Sequence, residues 1–254
     1  LTILRQSTLV DLDALDSCIP RKYSFKFRDC TSNQAIALGQ LLQPSSAVLL
    51  ERAKEAVKHD AVVRAYCTDH QETLNVIADL LVIYMQAEIL PQLQPGGRVH
   101  IQSSPALAND VDRTVAHARR IVNLFTHVTN AAVDRLCIKV PSTWAGLYAC
   151  ATLEAEGIRC LATILFTERQ ALLAHQARCT YIAPYINELR VHFEEGYRDP
   201  SPNFAMVKTI HALYEKLNSR TMILPASLTT VEEVMALNGV EHITISPALI
   251  SLLA

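Results

Sequence analysis

A lysine set among branched apolar residues is the most chemically loaded position in this sequence. The stretch Arg135–Trp144 reads RLCIKVPSTW. Arg135–Val140 has the length and composition of a buried strand, and Pro141-Ser142-Thr143 reads as a strand end followed by a helix N-cap. Lys139 lies between Ile138 and Val140. An unpartnered ammonium buried there is strongly unfavourable, and loss of its proton leaves an amine able to attack a carbonyl carbon. The other lysines (Lys22, Lys26, Lys54, Lys58, Lys208 and Lys216) fall in polar loops or on charged helix faces. The plainer alternative is a strand-end lysine that extends its head into water.

What would position such a group is a repeated alternation of strand-like and helix-like segments. Strands are expected at Ser7–Asp13, Phe27–Asn33, Arg98–Ser103, Arg135–Val140, Ile158–Phe166, Cys179–Ile186, Thr221–Ser227 and Glu241–Ser246. Helical patterns intervene at Leu49–Val62, Gln71–Leu93, Asn109–Val128, Thr143–Gly157, Glu168–Arg178, Asn203–Arg220 and Thr230–Asn238. Eight strands with helices between them predict one (β/α)8 TIM barrel over residues 1–254, with no internal repeat and no linker. In that fold chemistry sits at the C-terminal mouths of the strands. The residues falling there are Asp13, Asn33, Gln102, Lys139, Thr163–Phe166, Tyr185 and Ser227. Strand alternation puts Cys137 and Lys139 on one face and Ile138 and Val140 on the other. His100 shares the parity of Gln102 and is expected deeper in the barrel, and Trp144 is expected in the core.

Composition narrows the function classes. The chain has 254 residues, half of them hydrophobic, with a net charge of −2 and no basic run, which argues against a nucleic-acid or anionic-membrane surface. The longest apolar stretch, Val76–Leu90, carries Asp79, Gln86 and Glu88 and reads as too short and polar to span a bilayer. The start does not read as a secretory signal. Seven cysteines without tight spacing read as reduced thiols of a cytoplasmic protein. No CxxC or HExxH is present, and His175/Cys179 reads as coincidental, so neither a metal nor another cofactor is expected. A small-molecule carbonyl compound is the expected partner, and a homo-oligomer is possible.

The sequence resembles the transaldolase family over nearly its full length. The resemblance rests on LTILRQSTLVDLDALD at the start, DCTSNQA after strand two, RLCIKVPSTWAGLYACATLEAEGIRCLATILFT in the centre, YIAPY on strand six and HITISPALI near the end. It implies a (β/α)8 fold, a Schiff base between Lys139 and a ketose, and carbon–carbon cleavage or formation through an enamine. It assigns proton transfer to Asp13, a substrate hydroxyl to Asn33 and a held water to Thr163. Where transaldolases carry a strand-three glutamate, this chain has Gln102, and an amide cannot exchange a proton near neutrality. The fructose-6-phosphate aldolase branch pairs such a glutamine with a strand-six tyrosine, a position taken here by Tyr185.

The phosphate-reading end departs further. The two positions that the family fills with arginine are Glu188 and Thr229, so attraction for a dianion becomes repulsion at one of them. Arg190, two residues on, is the one candidate replacement. A strand-five asparagine becomes Leu161 and a strand-six serine becomes Ala183, which predicts a more apolar pocket. Longer transaldolases add covering helices past strand eight, whereas this sequence ends at Ala254, and a more open mouth is one expectation. The leading expectation is a Schiff-base aldolase with catalytic Lys139, Asp13, Gln102, Thr163 and Tyr185. Its substrate contacts would be Asn33, Ser227, Leu161, Ala183 and Arg190, around an unphosphorylated carbonyl substrate of specialised biosynthesis. The alternatives are a true transaldolase that moves a dihydroxyacetone unit between sugar phosphates, and an inactive binding relative.

Overall fold

Short runs rich in Val, Ile and Leu, each followed by a capped helix, fold into parallel strands. In the computed structural model, which describes residues 1–253, these are β1 (Leu9–Asp13), β2 (Cys30–Thr31), β3 (Val99–Gln102), β4 (Leu136–Pro141), β5 (Arg159–Leu165), β6 (Tyr181–Pro184), β7 (Met222–Ile223) and β8 (His242–Ile245). They form one sheet in the order β7-β6-β5-β4-β3-β2-β1-β8, every neighbouring pair parallel. At the remaining seam the Thr244 N–H donates to the Pro225 carbonyl at 3.4 Å, and the Ile223 N–H donates to the Glu241 carboxylate at 3.3 Å. The result is a nearly closed (β/α)8 barrel. Several strands are shorter than expected, β2 and β7 most of all, because staggered barrel strands pair over only part of their extended length.

The helices are α1 (Gln34–Leu41), α2 (Ala47–His59), α3 (Ala61–Arg64), α4 (His70–Ile89), α5 (Val111–Thr129), α6 (Trp144–Ala155), α7 (Glu168–Gln176), α8 (Phe204–Leu217), α9 (Val231–Ala236) and α10 (Pro247–Leu253). Side-chain caps start many of them: Asn33, Asp69, Asp110, Thr143, Thr167 and Thr230 each accept an N–H from the first turn. An 18-residue window within His70–Gln92 has a mean hydropathy of 1.5, long and apolar enough by length and composition alone to cross a bilayer, which corrects the sequence reading of Val76–Leu90 as too short and polar. Half of it is buried, and it packs on α2, α5 and β3.

Two apolar layers result. Ile138 and Val140 point outward into the layer beneath the helices, while Cys137 joins Leu161, Tyr181, Ala183, Leu224 and Ala226 in a separate cluster on the lumen side. Each fully buried Leu or Ile contributes about 1.5–3 kcal/mol. Trp144 corrects its sequence reading: it is 65% exposed and lies against Tyr148, one turn along α6, with ring centroids 5.2 Å apart. As the first residue of α6 it faces away from the barrel and cannot reach the core.

A polar network crosses the lumen below the mouth. Asp29 Oδ2 accepts from the Tyr181 hydroxyl at 2.8 Å, that oxygen accepts from Arg98 at 2.7 Å, and Asp29 Oδ1 accepts the Arg98 N–H at 2.7 Å. His100 Nε2 lies 3.3 Å from Asp29, and His242 Nδ1 is 2.8 Å from Asp11. Burial opposes the Asp29 charge, but the His100 contact and the surrounding positive charge outweigh it and hold this carboxyl well below its usual range. His100 thus sits deep in the barrel, as its parity predicts.

Candidate active site

A cavity of about 970 Å³ opens at the C-terminal ends of the strands. Asp13, Asn33, Gln102, Lys139, Tyr185 and Ser227, placed at the mouth by the sequence, all line it. Lys139 is 4% exposed and projects to the lumen side. Its Nζ donates to Thr31 Oγ1 at 3.4 Å and to the Ser32 carbonyl at 3.3 Å, both long bonds. Among the described residues no carboxylate forms an ion pair with it within 4.0 Å. Thr31 and Ser32 were not anticipated, although they belong to the DCTSN run that supplies Asn33.

The position of Lys139 is fixed by how β4 ends. The Ser142 N–H donates to the Thr163 carbonyl at 2.7 Å, and Thr143 Oγ1 both accepts the Gly146 N–H at 2.9 Å and donates to the Ala108 carbonyl. Gly146 has no substitute here, because a Cβ would lie 2.1 Å from the Pro141 carbonyl oxygen. The close approach of helix to strand end sets where the chain leaves the barrel.

On β1, Asp13 presents one oxygen, Oδ1, that is sealed from solvent and without a hydrogen-bond partner, although the residue as a whole is partly exposed. Burial pushes its carboxyl above the usual range, against the pull of Lys139 and then of His192 and His100. A carboxyl in that condition is suited to taking and returning a proton. Gln102 pairs in register with Lys139 across β3 and β4, so the amide and the amine emerge side by side. Thr163 is fully buried, with its Oγ1 3.4 Å from the Tyr185 hydroxyl. Asn33 serves two ends: its Oδ1 caps α1 by accepting the Ile36 N–H at 3.0 Å, and the residue lines the cavity.

The wall beside Thr163 is strained. Between Ala162 and Leu165 the register of β5 against β6 shifts, and Ile164 adopts φ +57°. A β-branched residue in the left-handed region is disfavoured by about 1–2 kcal/mol. The irregularity turns Ile164 into the cavity lining, where regular alternation would have pointed it outward.

Three expected contacts lie elsewhere. Leu161 and Ala183 face the lumen but pack into its sealed apolar layer, because strand tilt sets them at a different height from the open cavity. Arg190 is not part of the lining: its guanidinium is held by Glu194 at 2.5 and 2.9 Å and stacks on Tyr197. Glu188 is turned to the Tyr197 hydroxyl and Thr229 to Glu233, so neither lines the cavity. Among the described residues no arginine lines it and Lys139 is its one lysine.

A single turn of 3-10 helix, Leu189–His192, instead contributes Leu189 and His192, with Phe193 just after it. Sequence reasoning missed all three. They lie in a segment without periodicity, and the lone histidine of that loop was the one available signal.

Comparison with known proteins agrees with this geometry. Residues 10–254 match the family described as Transaldolase/Fructose-6-phosphate aldolase. A transaldolase of Saccharomyces cerevisiae is 32% identical over 232 residues, covering 89% of this chain and 67% of the relative. A transaldolase of Chlamydia pneumoniae is 31% identical over 230 residues, covering 88% and 67%. One from Haemophilus influenzae is 31% identical over 253 residues, covering 97% and 76%.

Proposed function

The chain belongs to the transaldolase/fructose-6-phosphate aldolase family, and from that membership we propose that it is a Schiff-base aldolase acting on an unphosphorylated carbonyl substrate. Lys139 adds to the substrate carbonyl, water leaves, and an iminium ion forms. The carbon–carbon bond then breaks, its electron pair moves into the iminium to give an enamine, and the hydroxyl proton of the departing aldehyde passes to Asp13. Synthesis runs the same steps backwards. Gln102, Thr163 and Tyr185 hold the water that relays protons during loss of the carbinolamine hydroxyl, and Asn33 and Ser227 contact substrate hydroxyls.

The observation that carries the unphosphorylated reading is the lining itself. Among the described residues the cavity lining holds Lys139 and no arginine, and Glu188 and Thr229, the positions where the family carries arginine, are engaged with Tyr197 and Glu233. The names of the relatives support a second reading, a transaldolase that moves a three-carbon ketone unit between sugars.

The test is borohydride trapping with dihydroxyacetone, fructose and fructose 6-phosphate, followed by peptide mass analysis. An adduct on Lys139 with the unphosphorylated ketoses is the expected result. Absence of any adduct overturns the Schiff-base mechanism, and a clear preference for fructose 6-phosphate favours the second reading.

A further inference from the structure

Resting on the Schiff-base reading of Lys139, we propose that His192 is the specificity-determining residue for the far end of the substrate, accepting a hydrogen bond from a hydroxyl of an uncharged carbon chain. Strand order places this group across the barrel from the amine. Lys139 is on β4, whereas His192 is bonded to Ser227, just past β7, three strands away around the sheet.

The hydrogen bonds dictate which ring nitrogen is free. Ser227 Oγ has one proton and donates it to the Asn187 carbonyl at 3.0 Å. With its proton on that carbonyl, Ser227 Oγ accepts from His192 Nε2, 2.8 Å away, in the tautomer that satisfies both contacts. In the neutral ring Nδ1 is then a bare lone pair, with no partner within the protein among the described residues. Ser227 is itself rigidly set. Its backbone is in the left-handed region, with φ +63°, and its carbonyl accepts from the Asn187 amide at 2.7 Å.

The surroundings select against an anion. The Asn187 amide and the Thr229 N–H both end on the Glu233 carboxylate, at 3.0 and 2.7 Å, so the turn after β7 closes on a negative charge. Asp13, which lines the same cavity, adds a carboxyl to it and not a cation. Partial burial lowers the basicity of His192 and the Asp13 charge raises it, with burial the larger effect. At this end of the cavity an unpartnered imidazole acceptor invites a hydroxyl group and offers no hydrogen to a phosphate dianion, and the one lysine of the lining, Lys139, is committed to the carbonyl end. Leu189, Phe193 and Leu228 supply apolar wall for the carbon skeleton between these polar ends.

The probes are dihydroxyacetone, fructose and fructose 6-phosphate, and the readout is the ketose concentration that gives half-maximal borohydride-trapped adduct on Lys139. In the unmodified protein fructose should half-saturate at a concentration at least tenfold below fructose 6-phosphate. His192→Phe should raise the fructose value fivefold or more and leave dihydroxyacetone within twofold, since three carbons held at Lys139 do not cross the barrel. His192→Gln, which keeps an acceptor, should recover part of the loss, and His192→Arg should shift preference toward fructose 6-phosphate. A fructose value unchanged within twofold in His192→Phe overturns the role of His192, as does an equal change for dihydroxyacetone. If dihydroxyacetone itself leaves no adduct on the unmodified protein, the Schiff-base reading fails and this inference with it.

Discussion

Replacing Lys139 by methionine should make the protein more stable while abolishing covalent capture of a ketone. The Lys139 amine is 4% exposed, and its two hydrogen bonds, at 3.3 and 3.4 Å, lie at the outer limit of useful geometry. No carboxylate pairs with it within 4.0 Å among the described residues. A well-made hydrogen bond to a charged group returns about 1.5–3 kcal/mol, and bonds this long return less. Burying a poorly compensated polar group opposes folding by about 1–3 kcal/mol in mutational data. Methionine has nearly the same length and volume and fills the space without a polar atom. After substitution the Thr31 hydroxyl can rotate to another acceptor, and the Ser32 carbonyl loses one weak partner. The net gain should be about 1 kcal/mol, a rise of about 2–4 °C in melting temperature for a chain of this size. Thermal unfolding by circular dichroism, with borohydride trapping as a parallel activity readout, measures both halves. A fall of 2 °C or more would refute the reasoning, because the amine would then be a stabilising member of the core and not a destabilising group retained for its reactivity.

Tyr185→Phe removes the hydroxyl 3.4 Å from Thr163 and should leave equilibrium adduct formation intact while slowing it about 10²-fold, read by quenched-flow borohydride trapping. Gly146→Ala drives a methyl group into the Pro141 carbonyl and should destabilise by about 1–3 kcal/mol in urea unfolding, with reduced trapping at Lys139 as the strand end shifts. Asp29 governs acid stability. Its carboxyl is held below the unfolded value of 3.8, so its contribution is fully present above that value and is lost as pH falls through the lower, folded one. Asp29→Asn should cost about 3 kcal/mol at pH 7 and show a smaller further loss between pH 7 and pH 2 than the unmodified protein, measured by urea unfolding at both pH values.

Much of the barrel was legible because each strand carries a local signal that tertiary structure does not overrule. The run RLCIKV has the length and branched-apolar content of a buried strand, and PSTW supplies the cap that starts α6. Alternation likewise put Lys139 and Cys137 on one face, and the family resemblance put Leu161 and Ala183 with them. Depth along the barrel axis was not legible, because stagger between strands is a property of the closed sheet. Leu161 and Ala183 were therefore expected in the open cavity and lie in the sealed layer. The bulge at Ile164 runs against local preference, since a β-branched residue favours extended backbone. The short helices α1 and α10 were missed. QAIALGQL has only a faint amphipathic pattern, and PALISLL is too short to display a helical period. His192 and Phe193 were hidden for a different reason. The loop's route over the barrel mouth depends on a contact with Ser227, remote in sequence, and one with Asp199, within the same segment without periodicity.

The turn Leu189–His192 is attached to the rest of the molecule quite differently from the strands it overhangs. Lys139 and Gln102 are anchored by continuous backbone pairing between β3, β4 and β5, which fixes where their side chains emerge. The rim turn is tied down by a few side-chain contacts, notably His192 to Ser227 and the Glu188 N–H to Asp199. On the proposed mechanism, bond making and molecular choice are carried by separable parts. A lineage could retune what the catalyst accepts by rewriting roughly one turn of chain, and a protein engineer grafting a foreign rim onto these strands should be able to redirect it without rebuilding the reaction centre.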